Sequence, residues 1–344
     1  MLDDLLRHLV DRRGSDLHLK VGTSPRIRVD GRLEAAPFPP LTAADVERYA
    51  YEVLTGPRAD EFDATNEADV ALDHPGLGRF RINVFRQRGT IAIVFRSIPP
   101  GIPSFEALGL PGAVQQLADE PRGLVLVTGP TGSGKSTTLA AMIDHINASR
   151  ARHIVTIEDP IEFLHRDINC NINQREVGTD TATFAQALRR VLRQDPDVIL
   201  IGEIRDLETL DTALKAADTG HLVFSTLHTT DATQTINRVL SFYPPHQQAE
   251  VRFSLASALQ AVISLRLVPR ADKPGRVPAC EVLINTQTVR DQIRDMEKSL
   301  NIPDLIKEGT VQYGMQSFDQ SLMHYYSQGI ISYESAVFYA TSPS

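Results

Sequence analysis

An α/β fold built on a parallel sheet is what this sequence predicts for its larger part, preceded by a smaller α+β module. Three observations carry that reading. Between residues 124 and 226, short apolar runs alternate with amphipathic helical stretches, as in a parallel sheet covered on both faces. A glycine-rich loop, GPTGSGKS at 129–136, lies between the first such run and the first helix. A proline-rich passage, Pro99, Pro100, Pro103 and Pro111 with Gly101, Gly109 and Gly112, separates the two regions. Prolines at that density stiffen a chain, and no helix is expected there.

The elements follow in order. The N-terminal stretch MLDDLLRHLVDRRGSD reads as an amphipathic helix with Leu2, Leu5, Leu6, Leu9 and Val10 on one face. Strands are predicted at 17–21 and 26–29, with a turn at Asp30-Gly31, and a helix at 45–54 opened by Thr42. Residues 80–85 and 90–96 alternate apolar and polar side chains around Gln87-Arg88-Gly89, which is a β-hairpin. Beyond the prolines, strands are predicted at 124–128, 153–157, 198–201 and 222–226. Helices are predicted at 135–147, 183–193 and 207–218, and from about Pro245 onward the chain reads mostly helical. The resulting division is a module over 1–98, a linker over 99–111, an α/β core over 112–270 and a helical part over 271–344.

Composition limits the function classes. With 42% hydrophobic residues, 344 residues suffice for two cores. The net charge of −8 argues against non-specific nucleic-acid binding, and basic–aromatic interleaving is lacking. Two distant cysteines, Cys170 and Cys280, cannot make a four-ligand zinc site, and they point to a reducing compartment. No apolar run approaches the ~18 residues that span a bilayer, so a cytoplasmic location is expected.

The glycine-rich loop carries the chemistry. Gly129, Pro130, Thr131, Gly132, Ser133, Gly134, Lys135 and Ser136 match G-x-x-x-x-G-K-[ST] without a misfit, in the strand–loop–helix context the motif needs. Glycines let successive N–H groups point inward at phosphates, and the helix N-terminus adds partial positive charge. Lys135 then reaches the β- and γ-phosphates of ATP, Ser136 offers a hydroxyl to Mg²⁺, and Thr137 caps the helix or touches the α-phosphate. Such a site pairs with a carboxylate at the end of a neighbouring apolar strand. Glu203, after VILIG, fits that role, with glutamate where aspartate is usual. Asp195 and Asp197 precede that strand and belong to the opposite sheet end.

Two further groups remain open from the residues alone. TIEDPIEF at 156–163 places Glu158, Asp159 and Glu162 just after a strand, as surface charges, metal ligands or a general base. His221 and His228 flank the strand in TGHLVFSTLHT. His228 leaves it at the edge where open α/β sheets bind ligands, suited to sensing a γ-phosphate or organising the site. His221 starts the strand at the opposite edge.

Together GPTGSGKST, TIEDPIEF, DPDVILIGEIRDLET and TGHLVFSTLHT resemble the secretion ATPase superfamily, the hexameric motors of type II secretion and type IV pili. SDLHL at 15–19, INQREVG at 172–178 and YGMQSFDQSL at 313–322 resemble its pilus retraction branch, the PilT type. The resemblance implies a RecA-like P-loop ATPase domain, an N-terminal PAS-like domain packed on the neighbouring subunit, and a helical C-terminal part. It implies ATP and Mg²⁺ as ligands, with Ser136 and Glu203 at the metal. Glu158, Asp159 and Glu162 match the family's Asp box, whose last acid is the expected base, and His221 and His228 match its His box. Arg81 and Arg96, on the hairpin strands, become candidates for reaching phosphate in an adjacent subunit. TVRDQIRD at 288–295 keeps the arginine–apolar pattern of a helix that retraction motors need, with different ends. The implied partners are five further copies of the chain and the inner-membrane platform protein of a type IV pilus, hence peripheral association with that membrane. Pilus-assembly or type II secretion ATPases are the alternative, as is a low-turnover nucleotide-binding paralogue. The first two usually carry a longer N-terminal region and a four-cysteine zinc element.

Overall fold

A computed structural model describes residues 2–29, 31–98, 101–295 and 301–342. The turn residue Asp30, the linker residues Pro99 and Pro100, and the terminal Pro343 and Ser344 lie outside the described residues. The chain divides into two compact units, Met1–Gly101 and Ile102–Ser344.

The first unit is an antiparallel sheet of six strands: β1 (Asp16–Lys20), β2 (Arg26–Val29), β3 (Arg32–Ala35), β4 (Glu67–His74), β5 (Gly78–Gln87) and β6 (Thr90–Ile98). Their order is β3-β2-β1-β6-β5-β4. Helices Leu2–Asp11, Ala43–Val53 and Pro57–Thr65 complete the unit. Period-2 alternation sends Phe80, Ile82 and Val84 of β5, with Ile93 and Phe95 of β6, into one core with Leu5, Leu6, Leu9, Val46, Tyr49 and Phe62. The intervening positions carry Arg81 and Arg96, which pair directly across the two strands. The hairpin closes with Gln87 opposite Thr90, so its loop is Arg88-Gly89, both at positive φ (48° and 75°). That is the backbone a tight two-residue turn requires. β3, β4 and the helix Pro57–Thr65 were not foreseen; β3 is short and mostly exposed, with little apolar pattern to reveal it.

The second unit holds a seven-stranded sheet: β7 (Gly123–Thr128), β8 (His153–Glu158), β9 (Asn171–Glu176), β10 (Val198–Ile201), β11 (Leu222–Leu227), β12 (Leu259–Pro269) and β13 (Arg276–Ile284). The order is β13-β12-β7-β11-β10-β8-β9. Every pairing is parallel except β12 with β13. All six residues of β7 are buried. Leu124 and Leu126 join one hydrophobic cluster, Val125 and Val127 another, which is how a strand covered on both faces distributes its side chains.

Two expectations are corrected here. The region beyond Pro245 is not helical throughout, because β12 and β13 lie in its first half and extend the sheet across residue 270. The helix Gln248–Ala258 runs into β12 with no glycine or proline between them, so no local signal marks the change. The passage 99–111 contains a short helix, Phe105–Leu108, capped by Ser104 and closed by Gly109 in the left-handed conformation. Prolines at its margins bound it without entering it. After β13 the chain is helical, and Phe318–Ser327 and Tyr333–Tyr339 pack on Val268, Val277 and Ala279.

The helix Ala43–Val53 opens on a reciprocal capping box between Thr42 and Asp45. Thr42→Ala removes it and is expected to cost the first unit about 1 kcal/mol, read from chemical denaturation.

Candidate active site

The parallel register brings four loop starts to one sheet edge. Thr128 of β7 pairs with Leu227 of β11, Ser225 of β11 with Ile201 of β10, and Ile201 with Ile157 of β8. The glycine-rich loop, the acidic turn, Gly202-Glu203 and His228 therefore leave the sheet together.

The loop is shaped for an anion. Gly129 has φ 141°, and a Cβ there would sit 2.5 Å from Ser133 Oγ and 2.6 Å from Leu265 O, so only glycine fits. Gly134 begins the helix Lys135–Ser149 at φ 99° with no side-chain cap, leaving the first-turn N–H groups for a ligand. Lys135 is buried and its Nζ donates to Gly129 O at 2.8 Å and Pro130 O at 3.1 Å. Burial lowers its pKa, while the charges of Glu203 and Glu162 oppose that shift. Ser133 Oγ is buried without a hydrogen-bond partner. An unmatched hydroxyl, a cradle closed to any Cβ and a buried ammonium fit a phosphate group.

The acids divide into different states. Glu203 Oε1 lies 3.1 Å from His228 Nε2, and its Oε2 accepts from Arg205 Nε at 3.0 Å. Arg205 also reaches Asp159 at 3.5 Å. Glu158 Oε1 accepts from Thr156 Oγ1 at 2.7 Å and Gln174 Nε2 at 3.3 Å. Burial raises its pKa against those hydrogen bonds. Three donors, one of them the Glu162 N–H, engage its carboxylate. Glu162 makes no side-chain hydrogen bond or ion pair among the described residues, and it acts on Lys135 through charge.

Ser136 and Thr137 lie in the first helical turn, and Thr131 and Gly132 are exposed at the loop's tip. His221 is not brought to this edge: its Nδ1 lies 3.0 Å from Ala216 O and 3.3 Å from Thr219 Oγ1, at the strand's start. Asp195 and Asp197 are at that same far edge, where Asp195 O and Asp197 Oδ2 meet His153. In the first unit, Arg96 Nε donates to Asp16 Oδ1 at 2.9 Å, and Arg81 has no such partner among the described residues. No group of three or more potential metal-ligating side chains occurs among the described residues. No helix among them is long and apolar enough to cross a membrane.

Residues 79–318 match the type II/IV secretion system protein family. The chain belongs to that family. The type IV pilus retraction ATPase PilT of Pseudomonas aeruginosa is 46% identical over 335 residues, 97% of this chain and 96% of the relative. The twitching motility protein of Neisseria gonorrhoeae is 45% identical over 313 residues, 91% of this chain and 83% of the relative. The crystal structure of the pilus retraction motor PilT with bound ADP superposes with a TM-score of 0.91 at 44% identity, covering 99% of this chain and 97% of that one. The chain is thus a secretion ATPase of the PilT type, with a RecA-like ATPase domain, and a nucleotide is its ligand.

Two participants escaped sequence reasoning. Arg205, two residues after Glu203, joins it to Asp159, and the IRD run offered only a charged turn. Glu281 of β13 accepts the Ala232 N–H at 2.8 Å, fixing the helix that follows the His228 loop. Its place on an unforeseen strand hid it. Burial, with the charges of Asp231 and Asp319 outweighing Arg266, pushes the Glu281 pKa to about 7 from an ordinary 4.5. The folded chain therefore holds this proton after the unfolded chain has lost it, and stability falls as pH rises through that window. Glu281→Gln keeps the acceptor without the charge. It is expected to melt above wild type at pH of about 8, with the gap closing as pH falls toward 4.5.

Proposed function

We propose that this chain is the subunit of a hexameric motor that hydrolyses ATP to retract a type IV pilus, returning pilin to the membrane. The observation that carries the reading is the buried Lys135 folded onto the glycine-rich loop, with Glu203 held by His228 and Arg205 at the neighbouring strand end. ATP phosphates lie against backbone N–H groups of the glycine-rich loop and the first turn of the helix after it, with Lys135 between the β- and γ-phosphates. The Ser136 hydroxyl and Glu203 are the groups that would hold Mg²⁺, which when bound would supply positive charge to the phosphate oxygens. The carboxylate of Glu162 takes a proton from water as it attacks the γ-phosphate. Glu203 is oriented by His228 and Arg205, so a change at the phosphate reaches the His228 loop through one carboxylate.

Arg81 and Arg96 are the arginines proposed to reach the nucleotide of an adjacent subunit, since a trans arginine stabilises charge in phosphoryl transfer. The relatives named above, retraction and twitching proteins matched nearly end to end, favour retraction over assembly. The load is the inner-membrane platform protein of the pilus, and the motor works from the cytoplasmic face.

Glu162→Gln is expected to bind ATP normally and to lose turnover roughly 100-fold or more, the usual worth of a general base. Lys135→Ala should lose nucleotide binding itself. Equilibrium binding and steady-state assays separate the two, and full turnover by Glu162→Gln removes it as base. Specific activity should rise with protein concentration, as sites shared between subunits require. A deletion strain should keep its surface pili and lose twitching; a bald strain would assign the chain to assembly.

A further inference from the structure

The residues between β8 and β9 carry Glu162, yet from Ile161 to Arg166 they have no helix or strand. Their main-chain groups must find partners elsewhere. The edge strand β9 supplies them. Gln174 Nε2 donates to Phe163 O at 2.8 Å, and Gln174 Oε1 accepts the His165 N–H at 2.8 Å. The same amide donates to Glu158 Oε1, whose carboxylate accepts the Glu162 N–H. Glu176 is buried, and its Oε2 accepts the Ile161 N–H at 3.1 Å. Its Oε1 takes the Thr179 hydroxyl at 3.3 Å, and its own N–H donates to Asp180 Oδ2 at 2.8 Å. Main-chain groups of residues 161, 162, 163 and 165 are thus held by three side chains, and the fixed point in each case leads back to β9.

We propose that Gln174 and Glu176 are positioning residues for hydrolysis, holding the loop so that the Glu162 carboxylate stays poised beside Lys135. The proposal rests on Glu162 being the base. β9 pairs with β8 in register, Gln174 opposite Thr156 and Glu176 opposite Glu158. The clamp is therefore referenced to the same sheet that fixes the phosphate loop. Displacing a base by about 1 Å costs on the order of 100-fold in rate, so a loop without its own secondary structure needs such a reference.

The test compares Gln174→Leu, Glu176→Leu and Glu176→Gln, alone and combined with Glu162→Gln, by ATP turnover, ATP binding and melting temperature. Gln174→Leu and Glu176→Leu should lower kcat roughly 10- to 100-fold with ATP affinity kept. Glu176→Gln retains an acceptor for the Ile161 N–H and should restore near-native kcat. Where Glu162 is already Gln, neither leucine substitution should lower the rate further, because residues acting through one group are not additive. Wild-type kcat in both leucine variants overturns the clamp while leaving Glu162 intact as base. An equal fractional loss in the Glu162→Gln background overturns it too, since the residues then act elsewhere. If Glu162→Gln alone turns over at full rate, the base assignment fails, and the clamp with it. Should Gln174→Leu not fold, the Glu176→Leu and Glu176→Gln pair carries the same comparison.

Discussion

The parallel pairing of β8, β10, β11 and β7 is the constraint from which the site follows. Parallel strands all end in one direction, so any loop that leaves them must share an edge with the others. Such a sheet is stable only when both faces are covered. The helices that cover it also carry the first-turn N–H groups next to the phosphate loop. Packing and chemistry are thereby fixed by the same elements: Val125 and Val127 bury one face while the strand they belong to delivers Gly129. Beneath the loop, Thr128 and Ser264 hydrogen-bond across β7 and β12 at 2.9 Å, which holds the buried end of the strand without exposing a polar atom.

Four acids at one edge would repel each other if all were equally charged and free. The structure removes that repulsion unequally. Glu158 is pushed toward its protonated form by burial. Asp159 and Glu203 share the guanidinium of Arg205, and Glu203 also meets His228. Only the Glu162 carboxylate is left without a side-chain hydrogen bond or ion pair among the described residues, yet its charge still bears on Lys135. A base must keep its lone pairs for water, so the acid with the fewest commitments is the one suited to the task.

Much of this was legible in the sequence because the relevant signals were local. The glycine-rich loop and the runs ending at Ile157, Ile201 and Thr226 announce themselves by residue type and by period. What stayed hidden depends on contacts between distant segments. Nothing in INQRE says that Gln174 and Glu176 reach residues 161–165, since the side chains of an edge strand read the same whether they face solvent or a loop. The hydrogen bonds of Glu158 to Thr156 and Gln174 were likewise out of reach, because Gln174 lies on a strand sixteen residues away. β12 was missed because a helix feeds it without a break. His221 carries the family's pattern, and its strand-start position already placed it across the sheet from the phosphate loop.

The two hairpin arginines show how a structural cost separates residues that look equivalent in sequence. Arg81 and Arg96 stand directly opposite each other on β5 and β6, and like charges so placed destabilise a sheet. Asp16, opposite Arg96 on β1, offsets one of them through a hydrogen bond at 2.9 Å. It also lies 3.7 Å from Arg28, so its charge is already shared. Arg81 has no ion-pair partner among the described residues of its own chain. An anion supplied from outside would therefore gain most at Arg81, where it relieves an existing repulsion, and least at Arg96, where it must compete with Asp16. If the proposed contact with phosphate in trans is made, this charge balance favours Arg81 for it, while Arg96 ties its strand to β1 through Asp16.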